Sequence, residues 1–343
     1  MKSEIIQLQK RKDIIKKNKS IKSNSIRSKK KFYLSNTFLI ILIFLVFICA
    51  IIINKIYKIK LFKHKNKFGL IQNKTNPDTN ACSFIKNKLE NRTQPFDYEN
   101  ELEFFISLIS CKIPFSFIRF ADGEELIMRG EKIDQTTDKW YWDSKNAKFR
   151  NSLIESSSIC TIPNNFIGLP CKNWIGFSRS ILSFSNCTSS KYMSYATLFV
   201  NKNYPQFKKW ILSYINSSNR WKIILVANSN INKDISWAYK FFPIPEHIVE
   251  NWEEFRQSKL PKISEEAKRN DLIFFVSAGP AANIIISYLT KINNKNIYVD
   301  FGSSIEFITK GYETRPYPNP NSEYSKQRCE SYIIKDKDII YQS

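Results

Sequence analysis

Histidine is almost missing from these 343 residues, with only His64 and His247 present. No HExxH pair occurs, which excludes the zinc-hydrolase helix, and no Ser-His-Asp order that would build a hydrolytic triad is found. A GxxxxGK[ST] run is absent, so a P-loop is excluded as well. The seven cysteines include no CxxC, which argues against a structural zinc site. No internal repeat is evident. Acidic residues are scarce, with 31 Asp and Glu against 53 Lys and Arg, a formal charge of +22.

That charge resembles a nucleic-acid binder's until it is divided along the chain. Residues 1–31 hold twelve Lys or Arg against Glu4 and Asp13, a share of +10. Residues 54–75 hold seven Lys and no acid, which leaves +5 for residues 76–343. The excess therefore flanks the segment from Phe32 to Ile53, which carries no charge and is unbroken apolar from Phe38 onward apart from Cys49 and Ala50. A helix needs about 20 apolar residues to cross a bilayer. Tyr57 with Lys55 and Lys58 suits the far interface. The tail before it is too long for a signal peptide, and no small-residue cleavage site follows. The reading is a disordered basic cytosolic tail (1–31), a transmembrane helix (32–57), a Lys- and Asn-rich stalk (58–95) and a catalytic domain (96–343). The N-terminus lies in the cytosol and the domain lies across the membrane, lumenal or extracytoplasmic. Basic flanks of this kind meet lipid headgroups, so the bilayer is an expected partner and nucleic acid is not.

Six cysteines fall beyond the membrane: Cys82, Cys111, Cys160, Cys171, Cys187 and Cys329. An even number is compatible with disulfides, and six allow fifteen pairings. Sequons at Asn73, Asn91, Asn186 and Asn216 fit a secretory location.

Leu102, Phe105, Ile106 and Ile109 recur at helical spacing, and Phe115–Phe120 reads as a buried strand. Strands are also expected over Ile159–Ile162, Met193–Val200, Trp221–Ala227, Leu272–Ala278 and Asn296–Val299. Helical stripes at Phe207–Tyr214 and Ile285–Ile292 lie between them. Such alternation implies an α/β fold with a Rossmann-like, mostly parallel sheet. Ligands of these sheets bind beyond the carboxyl ends of the strands. Asp122-Gly123-Glu124, Gly279-Pro280, and Asp300 with Glu306 all fall there.

Two carboxylates around a glycine can hold a hard cation such as Mn²⁺ or Mg²⁺ against a diphosphate, with Gly123 letting the ligand approach the backbone. The same tripeptide could equally be a helix start, with Asp122 as cap and Glu124 in the first turn. Gly279-Pro280 is either a tight turn or a phosphate contact. Arg119 either meets diphosphate oxygens or pins Asp122. Trp140, Trp142, Trp174 and Trp252 are either core residues or stacking platforms, and His247 is either incidental or a general base.

The hexapeptide Arg119-Phe120-Ala121-Asp122-Gly123-Glu124 resembles the RFxDGE signature of glycosyltransferases with the GT-D fold. Weaker similarities follow at Tyr195–Phe199, Val276–Ala282, Val299–Ser304 and Thr314–Tyr317, so the resemblance spans residues 98–330. It implies that Asp122 and Glu124 hold a divalent metal and the diphosphate of a nucleotide sugar. This chain departs from the family's pattern by carrying Glu306 where Asp is usual. The expected activity is transfer of a hexose from a nucleotide sugar, in particular a UDP-sugar, to a glycan, protein or lipid hydroxyl. Mn²⁺ or Mg²⁺ is the cofactor, Arg119, Gly123, Gly279 and Pro280 are donor contacts, and Asp300 or Glu306 is the base. The alternative is a non-catalytic, membrane-tethered Rossmann-like lectin or scaffold.

The topology has a direct consequence. The full chain is expected to stay in the pellet on carbonate extraction, and protease added to sealed microsomes should trim only the short tail. Digestion of the large domain under those conditions would reverse the orientation.

Overall fold

The computed structural model describes residues 79–135, 140–317, 319, 321–330, 332–335 and 338–341. The tail, the apolar segment and the first part of the stalk lie outside the described residues, and the membrane reading lies there with them. Among the described residues no helix is long and apolar enough to cross a membrane.

Where a stalk is expected to end, the chain is already folded. Helix α1 (Thr79–Glu90) buries Ile85 and Leu89, and its Cys82 is bonded to Cys111 at the end of helix α2 (Tyr98–Ser110). Strand β1 (Phe115–Arg119) leads into α3 (Asp122–Arg129), a small hairpin β2 (Ile133–Gln135) and β3 (Trp140–Trp142), and α4 (Ala147–Ser156). Then come β4 (Asn165–Leu169), α5 (Ile175–Phe184), β5 (Met193–Tyr195), α6 (Tyr204–Ile215), β6 (Lys222–Asn228) and β7 (Lys240–Ile244). The last large units are α7 (Trp252–Ser258), α8 (Leu260–Ala267), β8 (Leu272–Ser277), α9 (Ala281–Ile292) and β9 (Ile297–Asp300). Short helices at Glu306–Thr309 and Glu323–Lys326 and a hairpin of Tyr332–Lys335 with Asp338–Tyr341 follow.

Seven strands form one sheet in the order β5-β4-β1-β9-β8-β6-β7, and every neighbouring pair is parallel. Helices cover such sheets on both faces, so the inner strands read as continuous apolar runs. Ile223–Val226 and Leu272–Val276 are buried throughout. Strand β7 is one of the two edge strands, where a proline, Pro243, is tolerated.

Two expected strands differ. Ile159–Thr161 is a tight 3-10 turn closed by the Cys160–Cys187 disulfide, and the strand comes later, at Asn165–Leu169. Of the Met193–Val200 run only Met193–Tyr195 pairs, after which the chain turns. The core is strongly aromatic. Phe105 stands edge-on to Phe117 and Phe166 at 5.0 Å each, and Phe301 lies 4.8 Å from both Phe199 and Phe275.

One ion pair is wholly buried in this core. Arg92 meets both oxygens of Glu101 at 2.8 and 2.7 Å, and it also donates to the carbonyls of Lys191 and Met193. The Phe96 N–H completes the Glu101 shell. Four of the five Arg92 N–H donors and both Glu101 oxygens are matched by these bonds, which offsets the desolvation; removing one partner strands a charge. Glu101→Gln should therefore lower unfolding free energy by about 3–5 kcal/mol in denaturant titration. A loss below about 1 kcal/mol would show that Arg92 is solvated by other means.

Candidate active site

The sheet places its carboxyl ends along one edge, and a cleft of about 600 Å³ opens there. Residues that end or follow β1, β6, β7, β8 and β9 line it. From β1 come Arg119, Asp122, Gly123 and Glu124; from β8, Gly279 and Pro280; from beyond β9, Gly302, Ser303 and Glu306. Seven of the eight site residues expected from the sequence thus share one cavity. The eighth, Asp300, is not among the lining residues; it is 3% exposed and sits with Arg119.

Arg119 is the organising group. Its Nε and Nη2 contact Asp300 at 3.1 and 3.4 Å, and Nη1 donates to the Ala196 carbonyl at 3.2 Å. Its backbone is held from α9, because Asn283 accepts from the Arg119 N–H at 3.1 Å and donates to the Arg119 carbonyl at 2.6 Å. The Gly302 N–H donates to Asp300 Oδ1. The partner of Arg119 is therefore Asp300 and not Asp122. Burial works against the guanidinium charge, but the Asp300 carboxylate overrides it and holds Arg119 above its usual range.

Helix α3 starts with Ala121 as its cap, so Asp122 is the first helical residue and not the cap. Glu124 reaches back to accept from the Ala121 N–H at 3.0 Å, one half of a capping box whose other half an alanine cannot supply. Burial pushes Glu124 up to about 7, and the backbone N–H groups and Arg119 pull it back only in part. Asp122 is exposed. Residues at i and i+2 do not face each other on a helix, yet both carboxylates reach the same cleft because they stand in its first turn.

Glu306 lies on the opposite wall, paired with Lys310 at 2.7 Å and receiving a hydrogen bond from Thr314. Tyr317, pushed up to about 12 by burial, donates to Ser303. His64 lies outside the described residues, and His247 is half exposed beside Glu250 and off the cleft wall. Trp142 and Trp252 are core residues, each 1% exposed, and the Trp140 and Trp174 side chains lie outside the described part. Asn228, Asn230, Glu246, Lys310 and Arg315 also line the cleft. Asn228, Asn230 and Glu246 stand beside strand ends, Arg315 falls in the Thr314–Tyr317 similarity, and nothing in the sequence marked Lys310.

No family model matches this chain. No curated protein matches it either. Two solved structures of the domain of unknown function 1792 are similar to it in outline, with TM-scores of 0.43 and 0.41 and 16% identity each. The matches cover 66% and 65% of this chain and 84% and 83% of theirs. The first is the selenomethionine form; the second is described as having a distinct glycosyltransferase fold.

Two glycines test how Arg119 is held. Gly279 and Gly302 both adopt left-handed backbone, at φ +52° and +50°. A side chain on Gly279 would meet open space, whereas a Cβ on Gly302 would stand 2.0 Å from Arg119 Nη2. Each alanine carries about 1–2 kcal/mol of backbone strain. Gly302→Ala should lower the melting temperature clearly more than Gly279→Ala, the difference measuring displacement of Arg119. Equal losses in the two variants would mean that Arg119 swings aside freely.

Proposed function

We propose that this chain is a membrane-anchored, metal-dependent glycosyltransferase that moves a hexose from a nucleotide sugar, most simply a UDP-sugar, to a hydroxyl acceptor. The observation that supports it best is the placing of the Arg119–Glu124 hexapeptide. It leaves the central region of a parallel sheet at the carboxyl edge, and its two carboxylates line the cleft of about 600 Å³ there.

The donor set is suited to a hard cation. Asp122 and Glu124 offer only oxygens, and among the described residues no group of three or more His, Cys, Asp or Glu forms a closed cage. Two carboxylates with the remaining positions left to water and phosphate is the pattern Mg²⁺ and Mn²⁺ favour. When bound, the cation would supply positive charge to the leaving diphosphate.

The chain's own residues share the remaining work. Arg119, with its side chain 23% exposed, presents a guanidinium to the diphosphate while Asp300 keeps it charged and aimed. Gly279 carries no Cβ to fill the space in front of it, so a phosphate can approach the backbone before α9. Of the two carboxylates considered as base, Glu306 stands on the wall and Asp300 beneath Arg119, so the acceptor's proton is assigned to Glu306. Asp300 is a positioning residue.

The test compares Asp122→Asn and Glu124→Gln in the full-length chain, with hydrolysis of UDP-sugars measured in Mn²⁺ and in EDTA. Electrostatic groups aimed at developing charge contribute about two to three orders of magnitude in rate, so either change should remove most Mn²⁺-dependent turnover. The melting temperature should hold. Asp122 is not the cap, and the amide introduced by Glu124→Gln still accepts from the Ala121 N–H without the burial penalty of a charge. Retained turnover in both variants would falsify the metal role, and wild type that turns over no nucleotide sugar would leave the lectin or scaffold reading.

A further inference from the structure

Among the described residues three N-x-S/T sequences occur, and each starts on an exposed asparagine. Asn91-Arg92-Thr93 follows α1, Asn186-Cys187-Thr188 follows α5, and Asn216-Ser217-Ser218 follows α6. Thr93, Thr188 and Ser218, which supply the hydroxyls, are exposed as well. The buried asparagines of the described residues are Asn165, Asn201, Asn203, Asn283 and Asn296, and none of them stands in such a sequence. The chain thus never places the motif where its asparagine is packed.

The three sites share one edge of the sheet. In a parallel sheet each crossover helix runs back from the carboxyl end of one strand to the amino end of the next. Asn216 is the C-cap of α6, just before β6, and Asn186 lies between the end of α5 and β5. Asn91 lies there too. The carbonyl of its neighbour Glu90 accepts from Lys191 Nζ at 2.9 Å, and Arg92 donates to the carbonyl of Met193, the first residue of β5. All three therefore stand at the amino edge, whereas the cleft opens at the carboxyl edge and none of them lines it. The cysteines add an independent observation. All six beyond the apolar segment are bridged, as Cys82–Cys111, Cys160–Cys187 and Cys171–Cys329. Such bridges are rare in the reducing cytosol and fit the oxidising compartment in which N-linked glycans are added.

We propose that Asn91, Asn186 and Asn216 carry N-linked glycans, which cover the amino edge of the sheet and leave the cleft bare. The inference rests on the lumenal orientation in the reading above and not on its catalysis. The donor is a lipid-diphosphate oligosaccharide, transferred to the emerging chain by an enzyme of the secretory membrane. The asparagine Nδ2 loses one proton to that enzyme and bonds to the anomeric carbon. The anomeric C–O bond breaks, and its electron pair leaves on the lipid diphosphate. Each Nδ2 keeps its second hydrogen, so the surface bonds from Asn91 to the Asn87 carbonyl and from Asn216 to the Leu212 carbonyl survive. Bulky, hydrophilic glycans on this face keep partners away from it and raise solubility. The tail holds a further sequence of this type, Asn18-Lys19-Ser20, which stays unmodified on the cytosolic side.

The experiment translates the full-length chain in the presence of microsomes and compares its gel mobility before and after treatment with peptide N-glycosidase. Asn73, outside the described residues, carries a sequence of its own and is replaced by Asn73→Gln throughout. The glycosidase should then remove three glycan steps, one for each of the three sites. Asn91→Gln, Asn186→Gln and Asn216→Gln should each delete one step, and the triple variant should show no shift. Transfer occurs on the emerging chain, so a variant that folds poorly still reports its remaining sites. A replacement that leaves the number of steps unchanged removes that site from the assignment. Absence of any glycosidase-sensitive mass on a domain that added protease cannot reach overturns the proposal and keeps the orientation. A single step that disappears with Asn18→Gln overturns both, because the tail then faces the lumen.

Discussion

The Arg119–Asp300 pair ties together the parts of the molecule on which the site depends. Strands β1 and β9 are neighbours in the sheet, the two paired residues lie 181 positions apart in sequence, and the pair joins the strands' carboxyl ends. The same arginine holds the Ala196 carbonyl after β5 and is held through its backbone by Asn283 of α9. Three other segments thus converge on one residue. A buried ion pair is weak evidence for stability, because desolvation consumes most of the attraction. Its contribution here is placement: a partly exposed cation is fixed in one orientation at the point where the strand order reverses.

That reversal explains why the cleft lies where it does. From β1 the chain builds outward through β4 and β5, then crosses over to β6 and β7 and works back inward through β8 to β9. Connections on the two sides of β1 leave in opposite directions, and a crevice opens between them. Two glycines stand where this crevice needs them. Gly302 must lack a Cβ because the Arg119 guanidinium fills that space, whereas Gly279 is favoured by its left-handed backbone and leaves open space in front of it.

Much of this is legible in the sequence, and the failures have physical causes. Strands β1, β6, β8 and β9 are buried on both faces, so their apolar runs stand out. Strand β4 escapes that pattern because Gly168 interrupts its run. That glycine is demanded by tertiary contacts, since a Cβ would lie 3.0 Å from the Phe117 ring and 3.1 Å from the Ala196 backbone. The isoleucines at 159 and 162 give a strand-like pattern instead, but a disulfide holds them in a turn. Strand β7 carries Pro243 and half-exposed residues, as an edge strand can. In the site, residues with local context such as Asp122, Glu124 and Gly279 can be read directly. The pairing of Arg119 cannot, because no local pattern encodes a contact across 181 positions.

The charge balance of the cleft bears on what it can hold. Asp122, Glu124, Glu246 and Glu306 line it, with Asp300 just beneath, against Arg119, Lys310 and Arg315. Two of those cations already face a carboxylate each, Arg119 with Asp300 and Lys310 with Glu306. A diphosphate entering such a space would meet more acid than base. Its affinity would be poor unless something neutralised Asp122 and Glu124 at the same time. Protonation can do so for Glu124, which burial holds near neutrality, but a proton on Glu124 brings no charge to the diphosphate. A divalent cation arriving with the diphosphate satisfies both carboxylates and the phosphates in one step. On the proposed reading, the acid excess makes metal and donor bind as a unit, and the cleft rejects free anions that carry no metal.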